Sequence, residues 1–124
     1  MSQKKILIIE DSPDLADSLE DMLKFKGYET LKSHNGVQGL TLALAEKPDL
    51  VLLDLKLPDI DGYEVYRKLR NDEWGVNAKI LILTASDTLE PMPDDLNINP
   101  DDILRKSNWG IDNLASRIEE ELAK

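Results

Sequence analysis

Three runs of four apolar residues, Ile6–Ile9, Leu50–Leu53 and Ile80–Leu83, stand out along the chain. No polar side chain interrupts them, which is how strands read when both faces of a parallel sheet are covered by helices. Tyr28–Lys32 and Ile103–Leu104 are weaker strand candidates. Amphipathic stretches lie between the runs. Ser12 followed by Pro13 suits an N-cap and first helical turn, after which Leu15, Leu19, Met22 and Leu23 share one face. Gly27 stands where a glycine ends such a helix. Val37, Leu40, Leu44 and Ala45 form a second stripe, closed by Pro48. Val65, Tyr66 and Leu69 form a third after the Asp61-Gly62 turn, and Leu114, Ile118 and Leu122 a fourth.

The segment 86–102 breaks the rhythm. It should hold a helix, yet Pro91, Pro93 and Pro100 each remove a backbone donor and disfavour helical geometry in the preceding residue. A loop, or one or two turns at most, is expected there. The resulting order, β-α-β-α-β-α-β-(loop)-β-α, implies an α/β fold: a doubly wound five-stranded parallel sheet with right-handed crossovers and the fourth helix shortened or replaced by a loop.

At 124 residues and 41% hydrophobic content, the chain suits one domain with a core of its own. It has no cysteine, which removes disulfides, thiolate metal sites and a cysteine nucleophile. The net charge of -10 argues against direct contact with nucleic acid or an anionic membrane. No apolar run approaches the roughly 18 residues of a membrane span. Ile6–Ile9 runs at once into Glu10-Asp11, unlike a signal peptide. A soluble, cytoplasmic domain is expected.

Ligands of doubly wound sheets bind beyond the carboxyl ends of the strands. There this chain places Glu10-Asp11, Asp54, Thr84 and Lys106. Three carboxylates meeting at one edge repel one another unless a cation lies among them. All-oxygen ligands without sulfur or histidine favour a hard ion, Mg²⁺ above Zn²⁺. Thr84 offers a hydroxyl donor and Lys106 a point charge, both suited to phosphate oxygens. The set reads as aspartyl-phosphate chemistry: a carboxylate attacks phosphorus while the protein supplies position and electrostatics. Each residue alone has an ordinary account. Glu10-Asp11 also suits a helix N-terminus, Asp54 a turn, and Thr84 or Lys106 a structural or solvated role. The arrangement at four strand ends is harder to assign to those separate causes.

These residues give the chain a close resemblance to the receiver domain of two-component response regulators, over essentially its whole length. The matching marks are Ile6-Leu7-Ile8-Ile9-Glu10-Asp11, Leu52-Leu53-Asp54, Leu57-Pro58-Asp59-Ile60-Asp61-Gly62, Leu83-Thr84-Ala85 and Lys106. The resemblance implies a flavodoxin-like fold over 1–124, with no effector domain. It implies that Asp54 accepts a phosphoryl group from a histidine kinase or histidine phosphotransfer protein, and that output passes to a downstream protein target. Asp11 and Asp54 would ligate Mg²⁺ with the Lys56 backbone carbonyl, and Glu10 would act through water. Thr84 would bind the phosphoryl group and Lys106 would pair with phosphate or carboxylate. Such a module catalyses its own phosphorylation and dephosphorylation without being an enzyme in the usual sense.

Three departures from the family pattern bear on output. The segment 86–102 is proline-broken and acidic, with Asp94, Asp95, Asp101 and Asp102. Ile103 stands where the family usually carries Tyr or Phe, and Ser107 where it usually carries proline. A cis bond before a non-proline residue costs about 3 kcal/mol, so a trans bond is expected before Ser107. Output through a remodelled surface around 86–102 follows as one hypothesis. A second is that Lys56 leans over the phosphorylated site and shields it from water. His34, beside Asn35-Gly36, reads as a solvated loop residue, the Tyr63, Tyr66 and Trp74 aromatics as packing, Trp109 as a cap or contact, and Glu119–Glu121 as a solvated face. Two other functions compete. One is a receiver-like interaction module independent of phosphate. The other is a Mg²⁺-dependent phosphohydrolase, against which Lys56 stands where such enzymes usually carry an acid.

Overall fold

In a computed structural model of the chain, the residues described are 3–84, 95–106 and 110–124, with Ile111 described by its backbone alone. The strands are β1 (Lys5–Ile9), β2 (Glu29–Ser33), β3 (Leu50–Asp54), β4 (Ile80–Thr84) and β5 (Ile103–Arg105). The α-helices among the described residues are α1 (Pro13–Phe25), α2 (Gly36–Glu46), α3 (Gly62–Arg70) and α4 (Ile111–Leu122). All strands pair in parallel, in the order β2-β1-β3-β4-β5. Every apolar run therefore became a strand buried on both faces. Alternate residues serve opposite cores. Ile6, Ile8, Leu50, Leu52, Leu81 and Leu83 pack towards α1 and α4, whereas Leu7, Ile9, Val51, Leu53, Ile80 and Ile82 pack towards α2 and α3.

Local sequence sets the helix ends. The Ser12 hydroxyl accepts the Leu15 N–H at 3.4 Å and Pro13 occupies the first turn. Gly27, at φ 94°, turns the chain so that the Tyr28 N–H reaches the Leu23 carbonyl at 3.0 Å. Asn35 and Asp61 cap α2 and α3, each accepting a backbone N–H at 2.8 Å.

Helix α2 faces the sheet differently from its large apolar residues. The expected stripe included Val37, Leu44 and Ala45, but all three are exposed; the buried positions are Gly36, Gly39 and Ala43, with Leu40 half-buried. The cause is close approach. A Cβ on Gly39 would lie 2.7 Å from Ile9 Cδ1, so only a residue without one lets the helix sit this close to β1.

Of the proline-rich segment, Asp95–Asp102 holds one 3-10 turn, Pro100–Asp102, and no α-helix. Leu96 and Ile98 are buried in the core on the α2/α3 side. Arg67 on α3 grips the Asp95 carboxylate through Nε at 2.9 Å and Nη2 at 3.1 Å. Arg117 on α4 holds the Asp102 carboxylate at 2.9 Å and the Asp101 carbonyl at 3.2 Å. Ser86, Pro91, Pro93 and Asp94 lie outside the described residues, as do Ser107 and Trp109. The aromatics are packing residues as expected: Tyr63, Tyr66 and Trp74 join the α2/α3 core. Glu121 is not solvated; it is buried between Arg117 at 2.9 Å and Lys124 at 3.2 Å.

Candidate functional site

The strand order reverses direction between β1 and β3, the switch point where sheets of this kind form a crevice beyond the carboxyl ends of their strands. Glu10 and Asp11 follow β1, and Asp54 ends β3. One carboxylate oxygen from each of these three residues lies within 4.8 Å of the others. Glu10 and Asp54 are buried while Asp11 faces solvent. Thr84, also buried, ends the adjacent β4 next to Leu83, the register partner of Asp54.

Lys106 reaches in from the end of β5. Its Nζ donates to Glu10 Oε2 at 2.9 Å and Oε1 at 3.1 Å, and stands 3.6 Å from Asp54 Oδ2. Three carboxylates face one ammonium, so the cluster carries a surplus of negative charge. The Asp54 carboxyl is pushed up from 3.8 to about 7. Burial is the main cause, followed by the Glu10 charge; the Lys106 ammonium opposes both. A cation of charge two among the carboxylates would remove that surplus, and oxygen donors of this kind fit Mg²⁺.

The loop after β3 completes the wall. The Lys56 N–H donates to Asp54 Oδ1 at 3.2 Å, so the backbone of this exposed residue lies beside the carboxylate. Gly62 N–H donates to the Leu55 carbonyl at 2.9 Å. A Cβ on Gly62 would come within 2.5 Å of the Asp54 carbonyl oxygen and of Leu55 Cα, so the tight return needs glycine.

The strand-end residues expected to act together thus lie together: Glu10, Asp11, Asp54, Lys106, the Lys56 backbone and, one strand over, Thr84. Two contacts were not visible in the linear pattern. His34 is exposed as expected, yet its Nδ1 lies 3.1 Å from the Glu10 carbonyl oxygen. Asp59, in the β3–α3 loop, accepts the N–H groups of Gly36 at 2.7 Å and Val37 at 2.9 Å. These backbone bonds, Val37 first, hold its carboxyl below the ordinary carboxylate range. A carboxylate capping a helix 22 residues away leaves no periodic signal.

A parallel sheet of order 2-1-3-4-5 with carboxylates at its β1/β3 crevice, and threonine and lysine on the neighbouring strand ends, defines the receiver class of signalling modules. The family model of the response regulator receiver domain matches residues 6–119, and the chain belongs to that family. Among curated relatives, the DNA-binding dual master transcriptional regulator RpaA of Synechocystis sp. is 33% identical over 92% of this chain and 47% of its own length. Response regulator MprA of Mycobacterium avium is 34% identical over 92% of this chain and 49% of its own. The chain therefore spans about half the length of these relatives. Among solved structures, a CheY-like receiver domain protein from Methanospirillum hungatei JF-1 superposes with a TM-score of 0.87 at 31% identity, covering 98% of this chain and 95% of that one. The receiver domain of sensor histidine kinase PA1611 from Pseudomonas aeruginosa PAO1 gives 0.87 at 28% identity, covering 99% and 100%, and holds a magnesium ion in its active-site cleft. The fold is the CheY-like flavodoxin fold. Among the described residues no helix is long and apolar enough to cross a membrane.

Proposed function

We propose that this chain is a phosphoacceptor module of a two-component or phosphorelay system, in which Asp54 takes a phosphoryl group from a phosphohistidine. The supporting observation is the buried Asp54 carboxylate, grouped with Glu10 and Asp11 within 4.8 Å and approached by Lys106 at 3.6 Å. In the reaction, an Asp54 carboxylate oxygen forms a bond to phosphorus as the phosphorus–nitrogen bond of the donor histidine breaks, and the imidazole leaves. Asp11, Asp54 and the Lys56 backbone carbonyl would hold Mg²⁺, with Glu10 acting behind them. Bound there, Mg²⁺ neutralises the carboxylates and the phosphoryl oxygens.

This chain's own residues supply the rest. Lys106 sits between Glu10 and Asp54, so its ammonium is positioned to pair with a phosphoryl oxygen on Asp54. The Thr84 hydroxyl, at the next strand end, is the donor for another such oxygen and registers its arrival. Burial of Asp54 limits access of water to the acyl phosphate. The donor is a histidine kinase or histidine phosphotransfer protein, and the recipient of the signal is a protein. With a net charge of -10, this domain does not itself contact nucleic acid, whatever accompanies it; its setting is cytoplasmic. Ile103 lies in β5, half-buried against the α2/α3 core, so output does not run through an aromatic switch at that position.

The test is incubation with a small acyl-phosphate donor, followed by intact mass. A single phosphoryl addition that needs Mg²⁺ and disappears in Asp54→Asn is expected. No incorporation in the unaltered protein would overturn the proposal and favour an interaction module independent of phosphate.

A further inference from the structure

The β3–α3 loop is tied down at three points. At its base the Gly62 N–H meets the Leu55 carbonyl at 2.9 Å, and the Lys56 N–H meets the Asp54 side chain at 3.2 Å. Away from the base, the Asp59 carboxylate takes the Gly36 and Val37 N–H groups at the start of α2, at 2.7 and 2.9 Å. Ile60 packs on the same place so closely that a Cβ on Gly36 would lie 2.5 Å from its Cγ1. Helix α2 is in turn seated on β1, where Gly39 leaves room only for Ile9, the residue before Glu10. One helix therefore braces both walls of the crevice: the end of β1 that carries Glu10 and Asp11, and the loop that carries the Lys56 backbone.

We infer that Asp59 is a positioning residue, fastening the β3–α3 loop to the N-terminus of α2 so that the Lys56 carbonyl is held ready for the metal. This rests on the metal-assisted phosphoacceptor reading and extends it to a residue outside the acidic cluster. The physical basis is pre-organisation. A bidentate, charge-assisted anchor three residues beyond Lys56 fixes backbone dihedrals that metal binding would otherwise have to order. The helix N-terminus strengthens the anchor, since two of its unpaired N–H groups and its positive end meet a carboxylate. Occupation of the site should in turn be felt at Gly36 and Val37.

Two measurements test this. Mg²⁺ titration by calorimetry of Asp59→Ala should show about tenfold weaker binding, with Asp59→Asn, which keeps one acceptor oxygen, between it and the unaltered protein. Near-ultraviolet dichroism checks that each variant is folded. In the unaltered protein, Mg²⁺ should shift the amide resonances of Gly36 and Val37, and in Asp59→Ala those two should no longer respond. A folded Asp59→Ala that binds Mg²⁺ as tightly as the unaltered protein overturns the inference. Should Asp59→Ala not fold, unmoved Gly36 and Val37 amides in the unaltered protein overturn it equally. Failure of the unaltered protein to bind Mg²⁺ at all would refute the underlying reading of the site instead.

Discussion

Replacing Asp54 with asparagine should stabilise the metal-free protein above neutral pH. In the folded chain the Asp54 carboxyl is pushed from 3.8 to about 7, so folding favours its protonated form. Below about pH 4 the group is protonated in both folded and unfolded chains and contributes no difference. As pH rises from there through 7, the unfolded chain ionises freely while the folded one resists, and stability is lost across that window. A rise of about three units, at about 1.4 kcal/mol each, sets an upper bound on the order of 4 kcal/mol at pH 8. Relaxation and solvent screening around the site reduce this, so Asp54→Asn should gain about 2 kcal/mol. The assay is urea unfolding at pH 5 and pH 8, with and without Mg²⁺. The unaltered protein should lose stability between the two pH values and regain about 2.7 kcal/mol at pH 8 with Mg²⁺ at a hundred times its Kd. The variant should show a flatter pH response and a much smaller gain from Mg²⁺. Equal stability of the two proteins at pH 8, with equal pH slopes, would refute the reasoning.

Other consequences are open to the same methods. Lys106→Ala leaves Glu10 buried without its ammonium partner; it should lower stability by about 1–3 kcal/mol in metal-free urea unfolding and make stability depend more steeply on Mg²⁺. Gly62→Ala drives a Cβ into the Asp54 carbonyl oxygen and Leu55 Cα, both 2.5 Å away, and should destabilise by about 2 kcal/mol or more. On α2, Gly39→Ala should destabilise by about 1–3 kcal/mol through contact with Ile9. Leu44→Lys, on the exposed side, should change stability by no more than about 0.5 kcal/mol in the same assay.

The strands and the grouping of charged residues at their ends were legible because both are strong one-dimensional signals. Ile6–Ile9, Leu50–Leu53 and Ile80–Leu83 sit within one residue of β1, β3 and β4. Even the weak candidates Tyr28–Lys32 and Ile103–Leu104 lie on β2 and β5. The face of α2 was not legible. Hydrophobic periodicity follows large side chains, whereas this helix packs through Gly36, Gly39 and Ala43 and leaves Val37 and Leu44 outside. Close approach rewards small residues, which carry little weight in an apolar pattern. The anchors of the site were hidden for another reason. Asp59 on the start of α2 and His34 beside the Glu10 carbonyl pair residues far apart in the chain. Only the folded register brings them together, so neither spacing nor composition announces them.

The most direct measurement is the location of the phosphoryl group. After incubation with an acyl-phosphate donor and Mg²⁺, borohydride reduction converts an aspartyl phosphate to a stable alcohol that peptide mass spectrometry can place. The expected result is reduction at Asp54 alone, abolished by chelating Mg²⁺. Modification at another residue, or none at Asp54 while the protein remains folded and Mg²⁺ is present, would contradict the assignment of this site.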